Sequence, residues 1–246
     1  MFWSCASTRN SKRQEGLPAE ILQIALKAQN RLHKRYMKLM AQGKEQRKTM
    51  TAIARELLRK WQTDGLDVVP VAVNVSAIQF RQNGFSEEVR EVLNKTGLPP
   101  RFLELELTES VLLSNAHVTC SVLNELLGMG VKLAIDDFGT GYSNLSYLKR
   151  FSANRLKIDR SFIRDLAVDS DDAAIIVAII GMAKALHLTV VAEGVETEQQ
   201  MSFLRNHDCN EIQGFLFSEP LSASDMTQLL KIQAGQHPIV IANSTL

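Results

Sequence analysis

The sequence predicts an α/β fold, a parallel sheet wrapped towards a (β/α)8-like barrel, and three observations lead there. Six short apolar runs each carry a polar residue suited to a site. Those residues recur at intervals of 20–36 positions, the length of a strand–helix–strand unit. Helical patterns fill the intervals. Polar groups gathered at strand ends are how such a barrel presents an active site on one face.

Taken in order, Val71-Ala72-Val73-Asn74-Val75-Ser76 is a β-branched run that delivers Asn74. A helix follows at Ser86–Asn94, with Val89, Val92 and Leu93 on one face. Phe102–Glu109 alternates apolar and acidic residues with period two, the strand pattern, and delivers Glu106. After a second helix at Ala116–Leu127, the run Leu133-Ala134-Ile135 closes on Asp136 and Asp137, with Gly139 and Gly141 just beyond. Adjacent residues on a strand point to opposite faces. Both carboxylates therefore reach one site only where the strand ends and the backbone turns, a turn that glycine permits. This is a candidate metal site. The short alternating run Arg155–Asp159 carries Lys157, and a helix with an Ile and Ala stripe spans Asp171–Leu186. Thr189–Val195 delivers Glu193, and Glu211–Phe215 delivers Gln213.

Composition narrows the classes. A chain of 246 residues with 45% hydrophobic content is long enough for one sizeable core. Cys5, Cys120 and Cys209 are odd in number and lack CxxC spacing, which argues against a disulfide framework and for a cytoplasmic location. The most apolar stretch, Ala173–Ala183, is far short of the roughly 20 residues of a membrane span. The apolar start, Met1–Cys5, precedes its basic residues, the wrong order for a secretory signal. Charge is divided: residues 1–60 carry a net +10 and the remainder −9. The five histidines show no paired spacing, and the basic segment has no DNA-binding motif.

Six motifs occur in order: Val73-Asn74-Val75-Ser76; Glu104-Leu105-Glu106-Leu107-Thr108-Glu109-Ser110; Asp136-Asp137-Phe138-Gly139-Thr140-Gly141-Tyr142-Ser143; Leu156-Lys157-Ile158-Asp159; Ala192-Glu193-Gly194-Val195-Glu196; and Gln213-Gly214-Phe215-Leu216-Phe217-Ser218-Glu219-Pro220. From about Thr51 to about Leu230 the chain resembles the EAL domains of bacterial cyclic di-GMP signalling. The resemblance implies an EAL-type barrel in which two divalent cations, Mg²⁺ or Mn²⁺, activate a water that attacks one phosphodiester of cyclic di-GMP, giving linear pGpG. It implies that Asn74, Glu106 and Asp136 ligate one cation, and that Asp136 bridges to a second held by Asp137. Lys157 would position the water and offset phosphate charge, and Glu193 would be the metal-linked acid or base. Glu109 would hold the Asp-Asp-Phe-Gly-Thr-Gly loop, which in the family also helps form a dimer. Gln213 and Pro220 would border the nucleotide pocket.

The family begins with a strand carrying a Gln-Pro-Ile type motif and a second carrying Glu-Ala-Leu, whose Glu completes the first cation's ligands. Neither is recognisable here. Ala19-Glu20-Ile21-Leu22 stands near the family's usual separation from Asn74, which makes Glu20 a candidate extra metal ligand. Against it, Pro18 precedes it, and Gln23–Met40 is rich in helix formers, with Ile21, Leu22, Ala25, Leu26, Leu32, Tyr36 and Leu39 at helical spacing. The expectation is an incomplete barrel with an N-terminal helix replacing the first strands. The chain then divides into a basic, mostly helical segment at 1–50, the barrel at 51–232 and a tail at 233–246. A homodimer is expected through a helical seam of Leu22, Ala25, Leu32, Tyr36 and Leu39, because an open sheet edge invites association. Two functions fit these readings: a phosphodiesterase whose activity is reduced or lost, or a non-catalytic cyclic di-GMP receptor or protein-interaction module.

Overall fold

A computed structural model describes residues 3–5, 24–26, 59–66, 69–113, 116–141, 148–166, 170–221 and 223–235. Among them lies one eight-stranded sheet: β1 (Trp3–Cys5), β2 (Ile24–Leu26), β3 (Val71–Val75), β4 (Leu103–Thr108), β5 (Lys132–Phe138), β6 (Arg155–Ile158), β7 (Thr189–Glu193) and β8 (Glu211–Gln213), in the spatial order β2-β1-β3-β4-β5-β6-β7-β8. From β3 to β8 every neighbouring pair is parallel and consecutive in the chain. Consecutive parallel strands require crossovers. Helices Phe85–Thr96, Ala116–Gly128, Ser170–Ala185 and Glu198–Asn206 lie in those crossovers, each of the first three within a residue or two of the helix its sequence pattern predicts.

Strand alternation divides the sheet into two chemically different faces. Leu103, Leu105 and Leu107 of β4, Leu133 and Ile135 of β5, Leu156 and Ile158 of β6, and Val190 and Ala192 of β7 belong to one continuous apolar core with the helices. The intervening residues, Glu104, Glu106, Asp136, Lys157 and Glu211, are also buried, but on the other face. The parallel sheet is thus covered on both sides, with hydrocarbon outside and ion pairs inside its curl. This arrangement is the (β/α) barrel-like fold that the spacing predicts.

The N-terminal strands correct one expectation. Ile24–Leu26, placed by helical spacing within a helix from Gln23 to Met40, form strand β2. It pairs antiparallel with β1 through Trp3↔Leu26, Ser4↔Ala25 and Cys5↔Ile24, and β1 pairs antiparallel with β3. The physical reason is tertiary: without β1, the backbone N–H and C=O groups along one side of β3 have no ladder partner. Helix propensity is too weak a preference to oppose that pairing. Ala25 therefore does not belong to a helical seam, while Leu22, Leu32, Tyr36, Leu39 and Glu20 lie outside the described residues.

One end of the strand order, β2, packs on the last helix, Ala223–Gly235. The fully buried Trp61, in a helical turn ahead of β3, donates its indole N–H to Thr227 Oγ1 at 2.9 Å. Lys231 and Asp64 add an ion pair at 3.1 Å. A buried indole N–H needs such a partner.

Candidate functional site

The chemistry begins at the C-terminal ends of β4 to β7. Register aligns Asn74 with Glu106, Thr108 with Asp136 and Glu193 with Gln213. Lys157, two residues into β6 from Arg155, projects into the curl and is 3% exposed. Its Nζ lies 2.9 Å from Glu106 Oε1, 2.8 Å from Asp136 Oδ1 and 2.6 Å from Glu193 Oε1, so residues from three other strands converge on one ammonium. Burial alone would lower the Lys157 pKa, but Glu106, Glu193 and Asp136 outweigh it and hold it well above its ordinary range.

Asp137 joins this group through its backbone. The β5–β6 register is irregular between Ile135 and Phe138, and Asp137 adopts φ +53°, in the left-handed region. That bulge turns its carboxylate to the same side as that of Asp136. Carboxylate oxygens of Asp136, Asp137 and Glu193 then lie within 4.8 Å of one another. The turn anticipated from the glycines thus starts at Asp137 itself, a residue type that tolerates the left-handed region. Gly139 continues it at φ +99°, where a Cβ would sit 2.7 Å from the Phe162 ring. Burial, then Asp136 and Asp159, raise the Asp137 pKa. Burial also raises Glu193, to about 7, with Lys157 opposing and Asp136 reinforcing the shift.

The other expected residues divide. Asn74 stands exposed in register beside the buried Glu106, and Gln213 is half-buried next to Glu193. Glu109 opens the helix Glu109–Leu113 and is buried under Gly141, where a Cβ would lie 3.3 Å from its carboxylate. Pro220 is half-buried in the segment after β8. Glu109 and Pro220 stand outside the Lys157 cluster.

A second buried layer escaped the sequence reading. Arg155 Nε lies 3.2 Å from Glu104 Oε2, and its Nη1 lies 2.8 Å from Glu211 Oε2. Its Nη2 also donates to Glu211 Oε1 at 2.8 Å. The signal was present: Glu104, Arg155 and Glu211 each precede by two positions a residue already assigned to the site, and therefore share its face.

Four carboxylates against one ammonium is a donor set that suits a hard divalent cation, which prefers oxygen ligands. The convergence of Asp136, Asp137 and Glu193 oxygens fits such an ion.

Comparison with known proteins gives consistent findings. The model of the EAL domain family matches residues 31–220, beginning ahead of the motifs legible in the sequence. The bifunctional diguanylate cyclase/cyclic di-GMP phosphodiesterase MucR of Pseudomonas aeruginosa is 48% identical over 169 residues, 69% of this chain and 25% of that protein. The cyclic di-GMP phosphodiesterase PdeR of Escherichia coli is 38% identical over 164 residues, 67% of this chain and 25% of that protein. The chain thus spans about a quarter of the length of these curated relatives. Among solved structures, the PaMucR phosphodiesterase in its c-di-GMP complex superposes with a TM-score of 0.72 at 39% identity, covering 84% of this chain and 87% of that one. The Klebsiella pneumoniae BlrP1 manganese/cy-diGMP complex superposes with a TM-score of 0.65 at 27% identity, covering 89% and 55%.

Proposed function

Because the chain belongs to the EAL domain family, we propose that it is a divalent-cation-dependent phosphodiesterase that opens cyclic di-GMP to linear pGpG, as a homodimer and with reduced activity. The observation that carries this reading is Lys157 held by three buried or half-buried carboxylates from β4, β5 and β7, beside the Asp137 bulge. Asp136, Asp137 and Glu193 would hold Mg²⁺ or Mn²⁺, with Glu106 and Asn74 on the adjoining strands completing the ligands. A divalent cation bound there supplies charge neutralisation at the phosphate and a lowered pKa for water. Lys157 keeps its proton at neutral pH and so offers a fixed positive charge to the phosphate oxygens and a donor that orients the attacking water. Glu193, whose Oε1 lies 2.6 Å from Lys157 Nζ, would be the metal-linked acid or base for that water. Gln213, its register neighbour, and Pro220 would border the nucleotide.

Reduced activity is supported by what stands beside β3. Among the described residues, neither Trp3–Cys5, which pairs with Val71 and Ala72 of β3, nor Ile24–Leu26 contains a carboxylate, so these two strands bring no acidic ligand towards Asn74. The same observation favours a second reading, a receptor that binds cyclic di-GMP without turnover. Among the described residues the strand order ends at β2 and β8, and an open strand edge supports association. No helix among the described residues is long and apolar enough to cross a membrane.

The deciding experiment is a chromatographic assay with cyclic di-GMP and Mn²⁺, beside a binding titration in Ca²⁺. Slow production of pGpG that disappears in Glu106→Gln is the expected result. Binding without product selects the receptor, and neither binding nor product overturns both readings. A monomer mass by light scattering removes the dimer.

Proton and cation compete for Glu193, which gives a pH prediction. Its pKa is raised from 4.5 to about 7 on folding, so its contribution to stability is present below about 4.5 and lost as pH rises through about 7. A cation binds the ionised carboxylate and displaces the proton. The rise in melting temperature on adding Mn²⁺ is therefore expected to be larger at pH 8 than at pH 6, as scanning calorimetry would record; equal rises would remove Glu193 from the cation's ligands.

A further inference from the structure

We propose that Arg155 is a positioning residue: by clamping Glu104 and Glu211 across the inside of the curled sheet, it sets the spacing at which Lys157, one layer above, meets its carboxylates. Glu104 lies on β4 and Glu211 on β8, four strands apart. In a flat sheet strands so separated would stand roughly 19 Å apart. One guanidinium nevertheless touches both carboxylates, at 3.2 Å and 2.8 Å. The clamp therefore spans the curl itself.

Curl needs such a device here. A closed barrel enforces its curvature by joining first strand to last. Among the described residues the hydrogen-bonded order ends at β2 and β8, with no ladder joining them. The clamp and the site share the inner face with period two: Glu104 lies below Glu106, Arg155 below Lys157, and Glu211 below Gln213, each pair roughly 7 Å apart along its strand. Fixing the lower layer fixes the separation of β4, β6 and β8 where the upper layer stands. Lys157 meets Glu106, Asp136 and Glu193 all within 2.9 Å, a set of contacts that a small widening of the curl would break. The fork of an arginine suits a clamp of this span. Its Nε pairs by charge with Glu104 while Nη2 donates a hydrogen bond to Glu211 and Nη1 adds an ion-pair contact to it, a planar spread of contacts that a lysine ammonium does not offer.

The proposal rests on the Lys157 cluster being the working site. Its test removes the clamp without stranding a charge, in the triple variant Arg155→Met, Glu104→Leu and Glu211→Met. Replacing a buried ionic triad wholly by apolar residues is commonly neutral or stabilising. The triple variant should therefore melt near the wild-type temperature, while Mn²⁺ affinity by calorimetric titration and kcat for cyclic di-GMP each fall about tenfold or more, the range for groups that support metal ligands. KM should change little, because the nucleotide-bordering residues remain. Arg155→Lys should show an intermediate loss of Mn²⁺ affinity. Wild-type affinity and kcat in the triple variant would overturn the proposal. Should the triple variant not fold, Arg155→Lys decides: a lowered melting temperature with unchanged Mn²⁺ affinity reduces Arg155 to a structural role. A wild-type protein that binds Mn²⁺ but does not turn over cyclic di-GMP counts against the phosphodiesterase reading alone, since the affinities still decide this one.

Discussion

Lys157→Met is expected to abolish turnover and to destabilise the cation-free protein by about 3–5 kcal/mol, the usual cost of stripping one partner from a buried ion pair. Methionine keeps much of the stem's volume, so the loss is electrostatic rather than a cavity. Glu106 is 1% exposed and Asp136 7%, and without the ammonium their charges and that of Glu193 face one another with no counter-ion from β6. Protonation would relieve part of that repulsion, so the variant should recover stability as pH falls. A divalent cation should recover it too, by neutralising the same carboxylates. Turnover should stay lost even in saturating Mn²⁺, by roughly 10³-fold, because the fixed donor to the water and phosphate is gone. Urea titrations with and without Mn²⁺, beside the pGpG assay, check both parts. A variant that is stable without cation and hydrolyses at the wild-type rate would place the reacting centre elsewhere.

Gly214→Ala is expected to be the most destabilising methyl addition at a described glycine. Its Cβ would sit 2.0 Å from Val195 O, 2.3 Å from Val195 N and 2.6 Å from Val195 C, all backbone atoms of a fully buried residue. That backbone is held from both sides: Val195 N–H donates to Gln213 O, and Leu216 N–H donates to Val195 O, each at 3.0 Å. The added methyl must push the β7 and β8 ends apart and break this lacing. A cost of about 4 kcal/mol or more follows, a drop of roughly 8–16 °C in melting temperature for a domain of this size. Glu193 lies two residues before Val195, so Mn²⁺ affinity should fall with stability. The control is Gly181→Ala within the helix Ser170–Ala185, where nothing stands within 4 Å of the added carbon. That substitution should stabilise by about 0.5–1 kcal/mol. A Gly214→Ala protein that melts like wild type would show that the loops after β7 and β8 have room to part.

Much of the site was legible because a strand's two faces can be read from its alternation. Lys157, Glu106, Asp136 and Glu193 stand in runs that the alternation marks as strands, the resemblance implies their roles, and they meet at one point. Asp137 lies beside Asp136, as two adjacent carboxylates at a strand end suggest, and the backbone bulge at φ +53° does the turning, one step before the glycines. Arg155 and Glu104 were visible in the same alternating runs, yet nothing local says that residues on β4, β6 and β8 will touch. Strand β2 failed for the opposite reason. Ile24–Leu26 sits among residues with helical spacing, and only the open edge beyond β3 and β1 draws it into the sheet.

By itself, then, the sequence determined the parallel α/β order, the family, and the kinds of residue that furnish the site, because period, motif and composition are properties of neighbouring positions. The tertiary structure decided which carboxylates share Lys157, that a second ionic layer underlies them, and that an antiparallel β1–β2 pair extends the sheet beyond β3. These depend on how far the sheet curls and which strands end at its edges. Both are settled by burial and pairing between residues distant in the chain, such as Glu104 and Glu211 on one guanidinium.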